Sequence, residues 1–313
     1  MKRLLAVFYP LCLFAVCLLV ACDKQDPAAM PSTAPLADPV TSPAESAAQP
    51  AESAAQPAEP VAKSESSVPE ETDDRSARQL HLLLLQKIHD GSHEEVPALA
   101  QRLHKHPDAT GADWMTVALS WFALGEMQKA VDVYDQVLEK YPTEKPHLWQ
   151  RGLALYYNEE YERGVDQFNS HQTLGTHDIE NSVWHLLCNA KLKPLAEARK
   201  ELIPNPGETR RMMHAVYDLF DGTAKPDDVL KASGIASDGA DQKKFDSQAY
   251  HSWLYVGLYH EMMGDQEASI AAMKKAQRCG LSSRGLMSVI ASTHLKLREK
   301  NTLGEKKEPL SSD

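Results

Sequence analysis

The fold of this 313-residue chain is decided by residues 111–144, GADWMTVALSWFALGEMQKAVDVYDQVLEKYPTE. Large apolar residues recur there every three or four positions, which is the spacing of an amphipathic helix. Gly125 interrupts this pattern and Pro142 follows its end, so the stretch predicts two helices joined by a short turn. Small residues, among them Ala118 and Ala130, lie where we expect the helices to approach closely. One such pair cannot bury both of its apolar faces, so neighbouring pairs must stack.

The same pattern recurs with a period of 34 residues, the signature of a repeat protein. Equivalent positions in neighbouring units carry Gly91, Gly152, Leu155, Gly164, Phe168, Ala198 and Leu202. A further unit over residues 250–283 carries Trp253, Gly257, Gly264, Met273 and Ala276 in register. Residues 213–249 depart from the period. Arg210 to Asp221 predicts a helix ended by Gly222, and Pro226 to Ser233 predicts a short helix opened by Pro226. Residues 284–299 predict a last amphipathic helix.

The unit resembles the tetratricopeptide repeat, TPR. The residues that carry the resemblance are Trp114, Ala118, Trp121, Gly125, Ala130, Tyr134 and Pro142. It extends over residues 77–283 and implies an all-α fold, a TPR helix-turn-helix solenoid that winds as a right-handed superhelix with a concave inner surface. Two stretches, Leu148 to Phe168 and Asp178-Ile179-Glu180-Asn181, are also similar to a family of bacterial and plastid TPR proteins of unclear function.

In TPR proteins the first helix of each pair lines the concave groove. By that register the predicted partner-binding groove consists of Met115, Leu119, Phe122, Trp149, Leu153, Tyr156 and Tyr157, and it continues through Glu180, Val183, Leu187, His251, Leu254, Leu258 and Glu261. An apolar and aromatic groove suits a helix or an extended peptide of a partner. Two interpretations remain open. Either a partner protein binds there, or the groove is filled by the chain itself, through residues 210–233 or the last helix.

Four segments are predicted along the chain: a signal peptide, a linker, the repeat solenoid and a tail. Residues 1–22 have the basic start and apolar run of a signal peptide, although the run also approaches the length of a membrane helix. Their ending, Leu19-Val20-Ala21-Cys22, resembles the lipobox of bacterial lipoproteins, which implies a lipid (palmitate) anchor on Cys22. The solenoid is predicted over residues 75–299, and residues 300–313 are predicted to be a flexible tail.

Residues 23–74 predict a disordered linker rich in Pro, Ala, Ser and Glu. They hold eleven acidic residues against two lysines, and PAESAAQ occurs twice in tandem. Such a stretch cannot bury enough apolar surface to fold. We therefore expect a tether that joins the folded domain to a cell membrane, on its periplasmic or exterior side. Asp23 resembles the signal for retention at the inner membrane.

Composition and motifs exclude several classes of function. The formal net charge of −11 argues against nucleic-acid binding, which requires a basic surface. The chain has no glycine-rich phosphate loop and no nucleophile elbow, so we predict neither an enzyme nor a cofactor. One enzymatic or metal-binding alternative remains, on His171, His185 and Cys188, whose side chains are types that bind zinc. The more ordinary interpretation is a buried cluster with satisfied hydrogen bonds, in which Cys188 and Cys279 are separate thiols.

The sequence therefore favours a membrane-tethered scaffold or adaptor that binds an envelope protein or peptide. The layout resembles that of envelope lipoproteins with TPR domains that serve as adaptors for peptidoglycan hydrolases and a protease. A third interpretation is a structural protein that associates with itself through the groove to form a homo-oligomer.

Overall fold

The computed structural model describes residues 74–175, 177–235, 246–280 and 285–305. The predicted signal peptide, the lipidation site Cys22 and the linker up to residue 73 lie outside the described residues. Within the described ranges, no helix combines the length and the apolar character that a membrane crossing requires.

The described residues form an all-α fold, in which no strand occurs. The α-helices are α1 Ala77–His89, α2 Val96–Lys105, α3 Gly111–Leu124, α4 Met127–Lys140, α5 Trp149–Tyr157, α6 Tyr161–Gln172, α7 Ile179–Leu192, α8 Leu195–Ala198, α9 Arg211–Asp221, α10 Pro226–Ala232, α11 Ser247–Met262, α12 Gln266–Cys279 and α13 Leu286–Glu305. Two 3-10 segments, Pro142–His147 and Arg199–Glu201, follow α4 and α8. The helix-turn-helix prediction is confirmed.

The helices form a stack of antiparallel pairs. The pairs α1–α2, α3–α4, α5–α6, α9–α10 and α11–α12 each pack together, and adjacent pairs pack through α2–α3, α4–α5 and α6–α7. The first helices also pack on one another, α5 on α7, α7 on α9 and α9 on α11. The irregular segment is as predicted: α9 ends at Gly222 and α10 opens with Pro226. It continues the row of first helices.

The turn inside each pair uses one left-handed backbone position. Gly91, Gly125 and Gly264 hold it at φ values of 70°, 81° and 81°. Glycine adopts this conformation without the steric penalty that a Cβ atom brings. In the α5–α6 turn the same position holds Glu159 at φ 63°. Glu159 stands 34 residues after Gly125, so the turn keeps its geometry even where the glycine is missing.

Small residues permit close helix contacts, as the repeat pattern predicts. A Cβ atom on Gly152 would come within 2.5 Å of Phe168 Cζ, and one on Gly164 would come within 2.7 Å of Cys188 Sγ. Both distances are far below van der Waals contact, so these positions require glycine. Cys188 and Cys279 are both buried, and they are separate thiols with no disulfide between them, as the sequence predicts.

The last helix, α13, extends beyond the predicted boundary at residue 299 and ends at Glu305. It packs against α12, its neighbour in sequence, and also against α3, near the beginning of the array. This second contact places α13 across the inner side of the stack, over the groove that the repeat register defines.

Candidate functional site

The candidate site is the predicted groove, and α13 lies in it. Thr293 Oγ1 donates a hydrogen bond to the carbonyl oxygen of Phe122 at 3.3 Å, and Lys296 Nζ donates to the carbonyl of Leu124 at 3.0 Å. Both carbonyls belong to the last turn of α3, where helical carbonyls lack the usual donor four residues on. The Phe122 carbonyl also accepts from the Gly125 amide at 2.9 Å. A lysine there also interacts favourably with the helix dipole. Side chains of α13 therefore cap the end of α3.

A buried histidine lies at the centre of the contact. His294 is fully buried on α13. Its Nδ1 lies 3.1 Å from the Tyr157 hydroxyl, and its Nε2 lies 3.2 Å from Ser269 Oγ. Burial lowers the pKa of His294 to about 4, although the nearby Glu261 opposes this shift. A neutral imidazole has one donor and one acceptor nitrogen, which matches two hydroxyl partners.

A buried ion pair joins α13 to α11. Arg298 Nε and Nη2 each lie 2.6 Å from Glu261 Oε1. The side chain of Glu261 is 4% exposed and that of Arg298 is 13% exposed. The Arg298 guanidinium also lies 5.5 Å from the centre of the Tyr157 ring. Removing one partner of such a pair leaves the other charge buried without a counter-charge, which is costly in free energy. The pair therefore favours the docked position of α13.

The predicted groove residues lie in the interior of the stack. Leu119, Phe122, Leu153, Tyr156 and Tyr157 are buried, while Met115 and Trp149 are half-buried. Of the two interpretations that the sequence left open, filling of the groove by the last helix is the one seen in the structure. Binding of a partner to these residues stays a prediction, and it requires α13 to leave.

Sequence reasoning missed His294, Arg298 and Ser269 as parts of this site. One signal was present, because Leu286, Ile290, His294 and Arg298 recur every four residues and share one face of α13. All except Arg298 are buried. A polar pair that continues an apolar face points to buried hydrogen bonding instead of solvent exposure.

A small cavity of about 180 Å³ opens beside α13, between α5, α6 and α7. It is lined by Trp149, Leu153, Phe168, His171, Asp178, Glu180, Asn181, Trp184 and Met287. Asp178 and Glu180 form its rim, with side chains 36% and 23% exposed. Asn181 is 2% exposed and forms part of the floor. Met287, the one lining residue from α13, makes the docked helix a wall of the cavity.

The polar atoms around the cavity are mostly hydrogen-bond acceptors. Asn181 Nδ2 donates to the Phe168 carbonyl at 3.2 Å and to Gln172 Oε1 at 3.1 Å, which leaves its Oδ1 buried without a partner. His171 Nδ1 donates to the Pro146 carbonyl at 2.7 Å. In the neutral ring Nε2 is then an acceptor, and it lies 3.9 Å from Asp178 Oδ2.

Glu180 has the most perturbed carboxyl group at the rim. Burial, followed by the like charge of Asp178, raises the pKa of Glu180 to about 7. Arg210 lies 3.9 Å away and opposes this shift. Its guanidinium, however, is bound by Glu208, with Nη2 at 2.6 Å from Oε2. Arg210 is therefore shared between Glu180 and Glu208, with the shorter contact to Glu208.

The side chains of the alternative site, His171, His185 and Cys188, each have a different partner in the structure. All three are buried, but His171 binds the Pro146 carbonyl, His185 lies 3.3 Å from Asn189 Nδ2, and Cys188 packs on Gly164. Among the described residues, no group of three or more His, Cys, Asp or Glu is arranged to hold a metal ion. Burial also raises the pKa of the Cys188 thiol, which removes its nucleophilic character.

Comparison with known proteins identifies the repeat. Residues 115–143 match the family model of the tetratricopeptide repeat. Among solved structures, the chain is similar to a tetratricopeptide repeat protein from Parabacteroides merdae ATCC 43184, at 15% identity and a TM-score of 0.44, over 74% of this chain and 87% of that chain. Among curated proteins, none matches the sequence. The matched residues lie on α3 and α4, the pair whose first helix receives α13.

Proposed function

We propose that this chain, in which one helix pair matches the tetratricopeptide repeat, is a membrane-tethered adaptor of the cell envelope. Such repeats generally serve as scaffolds for protein interaction, which supports the proposal. In this proposal the groove receives a helix of a partner protein once α13 has left it. The adaptor gathers its partner near the membrane by non-covalent binding alone.

The observation that carries the proposal is that the groove already holds a helix, α13. Amphipathic helices bind grooves through side chains spaced three or four residues apart. Here α13 presents Leu286 and Ile290 as apolar contacts, then His294 and Arg298 as polar ones. A groove that accepts this helix has the shape and the hydrogen-bonding groups to accept a similar one from another protein.

The chemistry of α13 defines what a competing helix must offer. It needs an apolar half for the aromatic wall around Tyr157 and a cation placed to meet Glu261, which is buried and would otherwise be left unpaired. A purely apolar helix would therefore compete poorly. This requirement gives the groove a basis for selecting its partner.

The tether rests on the amino-terminal sequence. Lipidation of Cys22 would hold the chain at the membrane, and a flexible linker of this length spans on the order of 40 Å. Replacing Cys22 with Ser tests this part directly. We expect the wild-type protein in the membrane fraction and the variant in the soluble fraction, and equal partition of the two would contradict the anchor.

Partner binding is tested by affinity capture from detergent-solubilised membranes with three full-length proteins. These are the wild type, Arg298→Ala, in which α13 is loosened, and Arg298→Ala combined with Trp149→Ala and Tyr156→Ala. We expect one specific protein to be enriched by Arg298→Ala over the wild type and lost with the triple variant.

Two controls keep the capture experiment interpretable. Circular dichroism must show that all three proteins are helical, and Lys274→Ala, which removes an exposed pair with Glu299 at 2.8 Å, must behave as the wild type. Equal capture by all variants, or no capture by an Arg298→Ala protein whose α13 exchanges its amide hydrogens rapidly, would contradict the adaptor function. Recovery of the chain itself as the captured protein would instead indicate self-association.

A further inference from the structure

We propose that the cavity beside α13 is a binding site for an aliphatic cation, a group ending in an ammonium or a guanidinium. The cavity is separate from the contacts that hold α13 at Tyr157 and Glu261. The inference goes beyond the proposed adaptor function, because it concerns a small ligand group and does not require α13 to leave.

The first observation is the unpartnered side-chain oxygen of Asn181, a residue that lines the cavity. The two hydrogen bonds of Asn181 Nδ2 set the orientation of the amide, so it is the carbonyl oxygen that remains buried and unbonded. Leaving a buried acceptor without a donor is costly. A ligand that reaches this oxygen with an N–H group removes that cost, which points to a hydrogen-bond donor as the bound group.

The second observation is the charge at the rim. Asp178 and Glu180 stand there together, and one oxygen of Asp178 is already used to cap α7, where Oδ1 accepts from the Glu180 amide at 2.9 Å. The other oxygen, Oδ2, lies 3.9 Å from His171 Nε2, and the Glu180 carboxylate lies beside the Tyr255 hydroxyl. Each of these carboxylates has lone pairs left to accept from a ligand.

Arg210 is shared between two acids, because its Nη2 binds Glu208 at 2.6 Å and its Nη1 lies 3.9 Å from Glu180 Oε1. It therefore offsets only part of the negative charge at the rim. Burial and the like charge of Asp178 raise the pKa of Glu180, and a bound cation would oppose that shift.

The third observation is the character of the walls and the size of the space. Trp149, Trp184 and Phe168 line the cavity, and aromatic faces attract cations that have shed their water. A volume of about 180 Å³ is below the range of pockets that hold nucleotides or drug-sized molecules. A short alkyl chain with a charged end fits these limits.

The same group can come from two sources, a free aliphatic amine or a lysine or arginine side chain of a bound peptide. Isothermal titration calorimetry on the full-length chain, without any partner protein, tests both. The free probes are cadaverine and agmatine, with 1-pentanol as the neutral control. The peptide probe is acetyl-Ala-Lys-Ala-amide, with norleucine in place of lysine as its neutral control.

We expect the cationic probes to bind and the neutral controls to give no measurable heat. Asp178→Asn combined with Glu180→Gln should weaken binding by at least about tenfold, because charge-assisted hydrogen bonds become neutral ones. Asparagine still caps α7, so the variant should fold. The matched control is Glu162→Gln, an exposed acid on α6 away from the cavity, which should leave the affinity unchanged.

Binding by the free amines assigns a small ligand, and binding by the lysine peptide alone assigns a side-chain anchor; either result supports a cation site. The proposal is overturned if no cationic probe binds, if pentanol binds as well as cadaverine, or if Glu162→Gln weakens binding as much as the double variant does. These results do not depend on the capture experiment, so the two proposals can fail separately.

Discussion

Tyr157 and His294 lie 137 positions apart in the chain, yet the hydroxyl of the first and Nδ1 of the second are 3.1 Å apart. The contact joins α5 to α13, and the other ring nitrogen of His294 joins α13 to Ser269 on α12. Thr293 donates a hydrogen bond to a carbonyl of α3, and Arg298 forms an ion pair with Glu261 on α11. Polar contacts therefore join α13 to four helices, α3, α5, α11 and α12. Docking of α13 should therefore respond strongly to changes in a few polar groups.

Replacing Arg298 with Ala should loosen α13 and destabilise the fold. Glu261 would be left buried without its cation, which costs about 2 to 4 kcal/mol at this degree of exposure. Urea unfolding measures the loss, and amide hydrogen exchange shows whether it is concentrated in residues 286–299. The exposed pair of Lys274 and Glu299 provides the comparison, since Lys274→Ala should cost under about 1 kcal/mol. Equal losses from the two substitutions would show that the buried pair has no special role.

Acid should weaken the docking of α13 through His294. Burial lowers the pKa of His294 to about 4 in the folded protein from an ordinary value of 6.5, so the unfolded chain binds a proton first as the pH falls. Its contribution to stability is complete above pH 6.5 and is lost as the pH falls through 4. Between pH 7 and pH 4.5 this amounts to on the order of 2 kcal/mol.

The variant His294→Gln isolates this effect, because Glu261, Arg298 and Lys191, the charged groups that influence the imidazole, remain in place. Urea unfolding at pH 7 and at pH 4.5 should show a smaller loss for the variant than for the wild type. Parallel pH profiles for the two proteins would mean that His294 does not titrate as inferred.

A methyl group at Gly164 should destabilise the contact between α6 and α7. Its Cβ atom would come within 2.7 Å of Cys188 Sγ, and overpacking of this kind costs about 1 to 3 kcal/mol. In a Cys188→Ala background the sulfur is gone, so the same Gly164→Ala change should cost much less. Thermal unfolding of the four proteins in this cycle gives the coupling. Gly285→Ala, with no atom within 4 Å of its Cβ, is the matched control, and additive effects at Gly164 and Cys188 would refute the contact.

Replacing Glu159 with Gly should stabilise the α5–α6 turn. A residue with a side chain costs about 1 to 2 kcal/mol in the left-handed region, while glycine loses about 0.5 to 1 kcal/mol more in chain entropy. The net gain is then about 0.5 to 1 kcal/mol, which appears as a higher melting temperature. Glu159→Ala keeps the Cβ atom and should bring no such gain. A gain of the same size from both substitutions would point to the lost charge and not to the backbone.

The helix pairs were predictable from sequence because each is specified locally. Apolar spacing along α3 and α4 and the break at Gly125 lie within one unit, and the 34-residue period carries them to the next. The same register predicted Tyr156 and Tyr157 as groove residues. It left open whether a partner, residues 210–233 or the last helix covers them.

The occupant of the groove and the cavity depended on contacts between distant residues. The sequence around His294 does not indicate that it contacts Tyr157. Arg298 pairs with Glu261 only after the helices have stacked. Asn181 was noted within a similar stretch of another family, but its unbonded oxygen follows from packing against Phe168. Local periodicity carries no information on such pairings.

The bond between Thr293 and the Phe122 carbonyl also bears on how the protein folds. A linear array of repeats gains its stability from nearest neighbours, and its units can melt from the ends one at a time. This bond closes a loop of 171 positions along the chain, at an entropic cost of about 4 to 5 kcal/mol. Contacts of such long range form late and slow the folding reaction. Once formed, they couple the second helix pair to the last, so the units between them should unfold in a single cooperative transition.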